Sequence, residues 1–118
     1  MVNGDRPADF AVHVEQTGRA YVVAPVGELD LDTVGDVRDV LEARPERCTR
    51  LVLDLRGLSF FDTSGMRLVV EAMQNAERNG HALTLVRGSS AVQRLFEVAG
   101  IEDRLPFVDD PRDAVRSA

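Results

Sequence analysis

The sequence predicts an α/β fold in which an open, mixed sheet of four to five strands packs with about four α-helices. Three observations predict it. The chain has 118 residues, which suits one domain. Its residues are 44% hydrophobic and 29% charged, as in globular proteins. Runs of β-forming residues alternate with helical spacings of apolar residues. We therefore expect a single domain over residues 10–116, preceded by a flexible arm over residues 1–9.

The first predicted element is a hairpin. An alternating strand begins at Phe10, a turn follows near Gly18, and the β-forming run Ala20–Val26 makes the second strand. Pro25 cannot donate a hydrogen bond to a neighbouring strand, so the second strand is expected to have a free edge or a bulge near its end. The residues after Val26 are then expected to form a loop.

The first predicted helix follows that loop. Asp30, Asp32 and Thr33 can each cap a helix whose apolar residues recur at three and four positions and which ends near Ala43. The continuous apolar run Leu51–Leu55 then predicts a strand that is covered on both faces and central in the sheet. The following residues, 56–61, are expected to be a link.

The second half of the chain continues the alternation of helix and strand. Its longest helix begins beside Asp62 and ends at Gly80, a residue type that often terminates helices. Strands are predicted over 81–86 and 105–108. A further helix is expected to be capped by Ser89 or Ser90 and stopped by Gly100, and a terminal helix opens at Asp109-Asp110-Pro111 and runs through Val115. The predicted order is ββαβαβαβα.

The composition excludes several classes of function. A net charge of −6 has the wrong sign for binding nucleic acid or an anionic membrane surface. No apolar run approaches the ~20 residues of a membrane span, and the first residues do not resemble a signal peptide, so a cytoplasmic location is expected. One cysteine and two histidines give neither a disulfide nor a structural metal site. No cofactor is expected, and all 14 basic residues are arginines, which excludes chemistry that needs lysine.

Functional groups of open α/β sheets gather where parallel strands end and helices begin. The most informative such segment is Asp62-Thr63-Ser64-Gly65, which opens the longest helix. Its hydroxyls lie where backbone N–H groups lack acceptors and where the helix dipole favours an anion, and Gly65 permits another group to approach closely. The residues alone leave two interpretations open: Asp62 or Thr63 is only a helix cap, or a kinase modifies the hydroxyl. The other segments expected at this edge are Gly27–Asp30 and Arg87–Ser90.

Two other classes of protein fit the residues less well. A receiver domain would use Asp54 as phosphoacceptor, but it also needs a lysine, and we expect Asp54 to be hydrogen-bonded at the end of its strand. A hydrolase could use Ser64 or Ser90 as nucleophile, but the sequence has no Gly-x-Ser-x-Gly motif, and both histidines fall at the starts of strands.

Four segments in order along the chain carry a resemblance to a known family: Gly27–Asp30, Leu51–Leu55, Leu58–Gly65 and Leu95–Ile101. Together they resemble the STAS domain family, and more specifically its bacterial anti-sigma factor antagonists. The resemblance implies a STAS fold and a protein that is not an enzyme. Unphosphorylated, it would bind an anti-sigma factor and so release a sigma factor. The anti-sigma factor would also be a serine/threonine kinase, a GHKL-type ATPase. It would phosphorylate the antagonist and so end the binding. A phosphatase would remove the phosphate and restore the binding.

When the motif of the family is matched to this sequence residue by residue, its phosphorylation site corresponds to Thr63. Most family members have serine at this position, and the threonine methyl group stiffens the side chain, so Ser64 is the second candidate. Asp30 either caps a helix or shapes the surface that faces the kinase, and Met66 is the apolar residue expected to be exposed. A second function stays open within the same fold, namely a scaffold of a signalling or transport complex that releases no sigma factor. The expected partner-binding residues are Asp30, Asp62, Thr63, Ser64, Gly65 and Met66.

Overall fold

The computed structural model describes residues 9–116 and has a mixed sheet with helices on both of its faces. The predicted arm therefore lies, apart from Asp9, outside the described residues. The strands are β1 (Ala11–Thr17), β2 (Ala20–Leu29), β3 (Arg50–Asp54), β4 (Leu58–Phe61), β5 (Ala82–Val86) and β6 (Phe107–Val108). The helices are α1 (Val34–Glu42), α2 (Thr63–Asn79), α3 (Ser90–Ala99) and α4 (Pro111–Arg116), and a 3-10 turn spans Glu102–Arg104.

The strand order is β1-β2-β3-β5-β6. β1 and β2 form the predicted antiparallel hairpin, which closes at Gly18 with a positive φ of 60°. The other pairs are parallel, and β3 lies at the centre of the sheet as predicted. Residues on both faces of β3 are buried, which explains why its sequence is almost continuously apolar.

The prediction that residues 56–61 only link two elements is wrong. The chain turns after β3, and Leu58–Phe61 then pairs in parallel with Gly27–Leu29, which were expected to form a loop. The register shifts between Gly27 and Glu28, where Ser59 is an extra residue on β4, so the irregularity lies in β4 and not in β2, where Pro25 led us to expect a bulge. Pro25 lies between the part of β2 that pairs with β3 and the part that pairs with β4, so neither ladder needs its missing N–H.

Two apolar clusters lie on opposite faces of the sheet. The larger cluster lies beneath α1, α2 and α3, and contains buried residues such as Leu29, Phe61 and Phe96. The smaller cluster lies beneath α4, where Ala114 packs with buried residues of β2, β3 and β5. The helices begin and end close to the predicted positions: Asp62 and Ser89 cap α2 and α3, and Gly80 and Gly100 end them with φ near 75°.

Candidate functional site

Two acidic turns lie side by side where β2 and β4 end. Leu29 and Phe61 are directly paired in the parallel register, so the next residues, Asp30 and Asp62, leave the sheet together. Backbones of paired strands are about 4.8 Å apart. The pairing that the sequence did not predict therefore brings together two of the predicted site residues, which are 32 positions apart in the chain.

Asp62 holds the N-terminus of α2. Its Oδ1 accepts hydrogen bonds from the backbone N–H of Ser64 at 2.9 Å and of Gly65 at 3.4 Å. This confirms the interpretation of Asp62 as a helix cap. The carboxylate of Asp62 points at the backbone of its own helix, and the first helical residue, Thr63, is left exposed.

Thr63 and Ser64 differ in their accessibility. Thr63 is exposed, whereas Ser64 is half-buried on the next position of the same turn. A hydroxyl that is to be modified must reach the catalytic groups of another protein, and Thr63 meets this condition better than Ser64 does. The dipole of α2 also favours an anion at this position.

A network of hydrogen bonds fixes the turn that contains Asp30. Oδ1 of Asp30 accepts from the backbone N–H of Asp32 at 3.0 Å and of Thr33 at 3.3 Å. The hydroxyl of Thr33 accepts from the N–H of Asp30 at 3.0 Å and donates to the carbonyl of Glu28 at 2.7 Å. Thr33 is completely buried, so it ties the end of β2 to the start of α1 from inside. The sequence identified Thr33 as a candidate cap but did not indicate this inward role.

Gly65 is buried and Met66 is half-buried. A Cβ atom on Gly65 would lie 2.6 Å from the ring of Phe61 and 3.1 Å from Leu29, so the group that approaches this glycine closely belongs to the same chain. Met66 is half-buried and packs against the larger core cluster, as does Met73. The prediction that Met66 is the exposed apolar residue of this surface therefore needs correction, because α2 turns Met66 towards the sheet.

Two large apolar side chains that the sequence did not indicate are exposed near this edge. Leu31, between Asp30 and Asp32, is 78% exposed. Phe60 is 48% exposed and pairs with the exposed Glu28, on the opposite face of the sheet from the buried Phe61. The exposure of Phe60 follows from the pairing of β2 with β4, and that of Leu31 from its place in the turn after β2.

The polar groups at the ends of the neighbouring strands are engaged within the fold. Arg87 donates to Glu102 at 3.0 Å and to Asp109 at 2.8 Å, after the end of β5. Asp54 at the end of β3 accepts from Arg56, whose Nη2 lies 2.9 Å from Oδ2, as expected for a residue hydrogen-bonded at its strand end. This ion pair raises the pKa of the Arg56 guanidinium. These groups stabilise the loops of the strands beside the two acidic turns.

Two further properties of residues 9–116 bear on the site. No group of three or more histidine, cysteine, aspartate or glutamate side chains in this part of the chain is arranged to hold a metal ion. Within the same residues, no helix has the length and apolar character required to cross a membrane.

Comparisons with known proteins agree with the fold. The family model described as STAS domain matches residues 11–114. An anti-sigma-B factor antagonist of Staphylococcus aureus is 32% identical over 84 residues, which cover 70% of this chain and 78% of that protein. An anti-sigma factor antagonist from Mycobacterium paratuberculosis has the same fold, with a TM-score of 0.81 at 20% identity, over 98% of this chain and 96% of that one.

The antagonist SpoIIAA has been solved in two states, and both resemble this chain. Its unphosphorylated form gives a TM-score of 0.70 at 26% identity, over 90% of this chain and 96% of that one. Its phosphorylated form gives 0.69 at 24% identity, over 90% of this chain and 98% of that one. The chain belongs to the STAS domain family and, within it, to the anti-sigma factor antagonists.

Proposed function

We propose that this chain binds an anti-sigma factor while Thr63 is unmodified and thereby frees a sigma factor for transcription. The anti-sigma factor is also the serine/threonine kinase, a GHKL-type ATPase, that phosphorylates Thr63 and ends the binding. A phosphatase restores the active form. The chain itself acts by binding and catalyses no reaction.

The observation that carries this proposal is the exposed Thr63 at the first position of α2. Asp62 caps the helix, so the backbone on which Thr63 stands is held in one conformation. The hydroxyl-bearing residue is open to solvent, while the next residue is half-buried. A relative of similar fold, SpoIIAA, is known in a phosphorylated and an unphosphorylated form, which supports a phosphorylation switch in this chain as well.

The charges around Thr63 explain how phosphorylation would end binding. A phosphothreonine carries about −1.5 to −2 charges at neutral pH. It would stand directly after Asp62, at the same edge of the sheet as the turn of Asp30, and would face the anionic phosphates of the nucleotide that the kinase holds. Like charges brought together in an interface cost several kcal/mol, and each ~1.4 kcal/mol weakens binding tenfold. The N-terminus of α2 stabilises the phosphate by only ~0.3–1 kcal/mol, which preserves the fold without restoring the interface.

The test of the phosphorylation site is a transfer assay with purified proteins. The chain is incubated with each anti-sigma factor kinase of the source organism and ATP, and its intact mass is measured. We expect one added phosphate on the wild type and on Ser64→Ala, and none on Thr63→Ala. A phosphate that persists in Thr63→Ala and disappears in Ser64→Ala would move the site to Ser64. A phosphate that persists in the double variant, or no transfer by any kinase, would refute phosphorylation of this motif.

The test of sigma factor release uses the same partners. A preformed complex of kinase and sigma factor is mixed with the unmodified chain and separated by size. We expect free sigma factor to appear together with a complex of the kinase and this chain, and we expect the phosphorylated chain to release none. A stable complex of all three proteins would contradict release and would indicate a scaffold instead.

A further inference from the structure

Leu31 is the most exposed large hydrophobic side chain in the part of the chain that the structure describes, at 78%. It lies at the middle of the turn between β2 and α1, with Asp30 before it and the exposed Asp32 after it. Exposing a leucine side chain forgoes ~1.5–3 kcal/mol relative to burying it fully, so its burial by a partner would be favourable.

The turn that carries Leu31 is rigid. Asp30 Oδ1 accepts from the N–H of Asp32, the carbonyl of Asp30 accepts from the N–H of Val34 at 2.9 Å, and Thr33 anchors the turn to β2. The backbone of Leu31 is therefore already ordered before any partner arrives. Binding at this turn therefore needs little further ordering of the backbone, which lowers the entropic cost of a contact there.

The position of this turn links Leu31 to the proposed phosphorylation site. Asp30 and Asp62 follow the directly paired residues Leu29 and Phe61, so the turn of Leu31 and the start of α2 occupy the same edge of the sheet. A protein that reaches the hydroxyl of Thr63 meets this turn as well. The contact surface was expected to include an exposed apolar residue. Met66 is half-buried, and Leu31 takes this place.

We propose that Leu31 is the apolar anchor by which the anti-sigma factor kinase recognises this chain, an inference that rests on the proposed function. The partner surface has an apolar recess that takes the leucine side chain, with a basic group beside it that faces Asp32. The negative net charge of the chain and the exposed carboxylate of Asp32 favour such a group. Thr63 then faces the nucleotide of the same partner, so one edge of the sheet both identifies the kinase and presents the hydroxyl to it.

The chain contains a matched control for this proposal. Val98 on α3 is 75% exposed, nearly as much as Leu31, but it follows Ser90 by eight residues, which is about 12 Å along the helix axis. Leu31→Ala and Leu31→Asp are compared with Val98→Ala and Val98→Asp. Binding of each variant to the purified kinase is measured by calorimetry, and melting temperatures are measured alongside.

We expect Leu31→Ala to weaken binding by roughly tenfold and Leu31→Asp by more, with both Val98 variants close to wild type. All four melting temperatures should remain near that of the wild type, because both side chains are exposed. If the wild type binds the kinase, is phosphorylated by it, and Leu31→Asp binds equally well, the anchor is refuted while the proposed function stands. If the wild type binds no anti-sigma factor kinase of the source organism, the proposed function and the anchor are both refuted.

Discussion

Gly65 allows α2 to lie directly against the ends of β2 and β4. A Cβ atom at this position would come within 2.8 Å of two carbon atoms of the Phe61 ring. That ring cannot move away easily, because it is buried and packs against Phe96 with 5.2 Å between the ring centroids. We expect Gly65→Ala to lower the free energy of unfolding by ~1–3 kcal/mol, the usual cost of overpacking a core, as measured by urea denaturation.

Gly35 is the matched control for this substitution. It lies in α1, and a Cβ atom there would meet no other atom within 4 Å. Gly35→Ala should therefore raise the free energy of unfolding by ~0.5–1 kcal/mol, because alanine restricts the unfolded chain and favours a helix. Equal effects of the two substitutions would contradict the close contact at Gly65.

At the residue scale, the sequence predicted the cap at Asp62, because neighbouring residues alone determine it. Asp62 is a helix cap in almost any context, and Thr63 after it is directed to solvent. The sequence did not predict in the same way that Met66 is half-buried and that Leu31 is exposed. Their exposure depends on the angle at which each segment meets the sheet, and the sheet at this edge includes a strand that the sequence analysis took for a link.

At the level of the elements, the connection between α2 and β5 contains His81, whose protonation makes the stability of the fold depend on pH. His81 is half-buried, and desolvation together with the nearby positive charge of Arg44 lowers its pKa from 6.5. Its Nδ1 is buried without a hydrogen-bond partner in the described structure. The unfolded chain therefore binds a proton at His81 more readily than the folded chain does, and falling pH stabilises the unfolded state.

We expect the wild type to lose stability relative to His81→Gln as the pH falls through 6.5, where the unfolded histidine becomes charged. The measurement is the free energy of unfolding of both proteins between neutral and mildly acidic pH. His13→Gln, on the exposed edge strand β1, controls for the loss of one histidine. A difference between wild type and His81→Gln that stays constant over this range would contradict the lowered pKa.

The elements that the sequence predicted well are those with local signals. Gly80 and Gly100 end their helices with positive φ, and the caps at Asp62 and Ser89 lie next to the residues they serve. β4 was missed because it has four residues, no alternation of apolar and polar side chains, and a partner about 30 positions earlier. The end of β2 was missed for a related reason, since Pro25 and Gly27 indicate the end of a strand, and only the pairing with β4 shows that β2 continues to Leu29.

On the scale of the whole molecule, the proposed switch changes charge and leaves the fold intact. The chain has a net charge of −6, and Thr63→Glu adds one negative charge at the N-terminus of α2, where the helix dipole stabilises it by ~0.3–1 kcal/mol. We expect Thr63→Glu to melt at or slightly above the temperature of the wild type and to bind the kinase more weakly.

Thr63→Gln is the control for this variant, because it has the same size without the charge. Thermal melts followed by circular dichroism and binding to the purified kinase are measured for all three proteins. Weakened binding by Thr63→Glu but not by Thr63→Gln supports the charge mechanism. A fall of several degrees in the melting temperature of Thr63→Glu alone would show that the added charge acts through the fold.

The pairing of Leu29 with Phe61 has a consequence for the timing of a signal. In the proposed switch, the turn of Leu31 and the hydroxyl of Thr63 follow directly from these two paired strands, so the switch would require no hinge, no rearrangement and no slow refolding. The delay between stimulus and response is then determined by how often the kinase and the phosphatase encounter the chain. A cell can adjust that delay through the abundance of those enzymes alone.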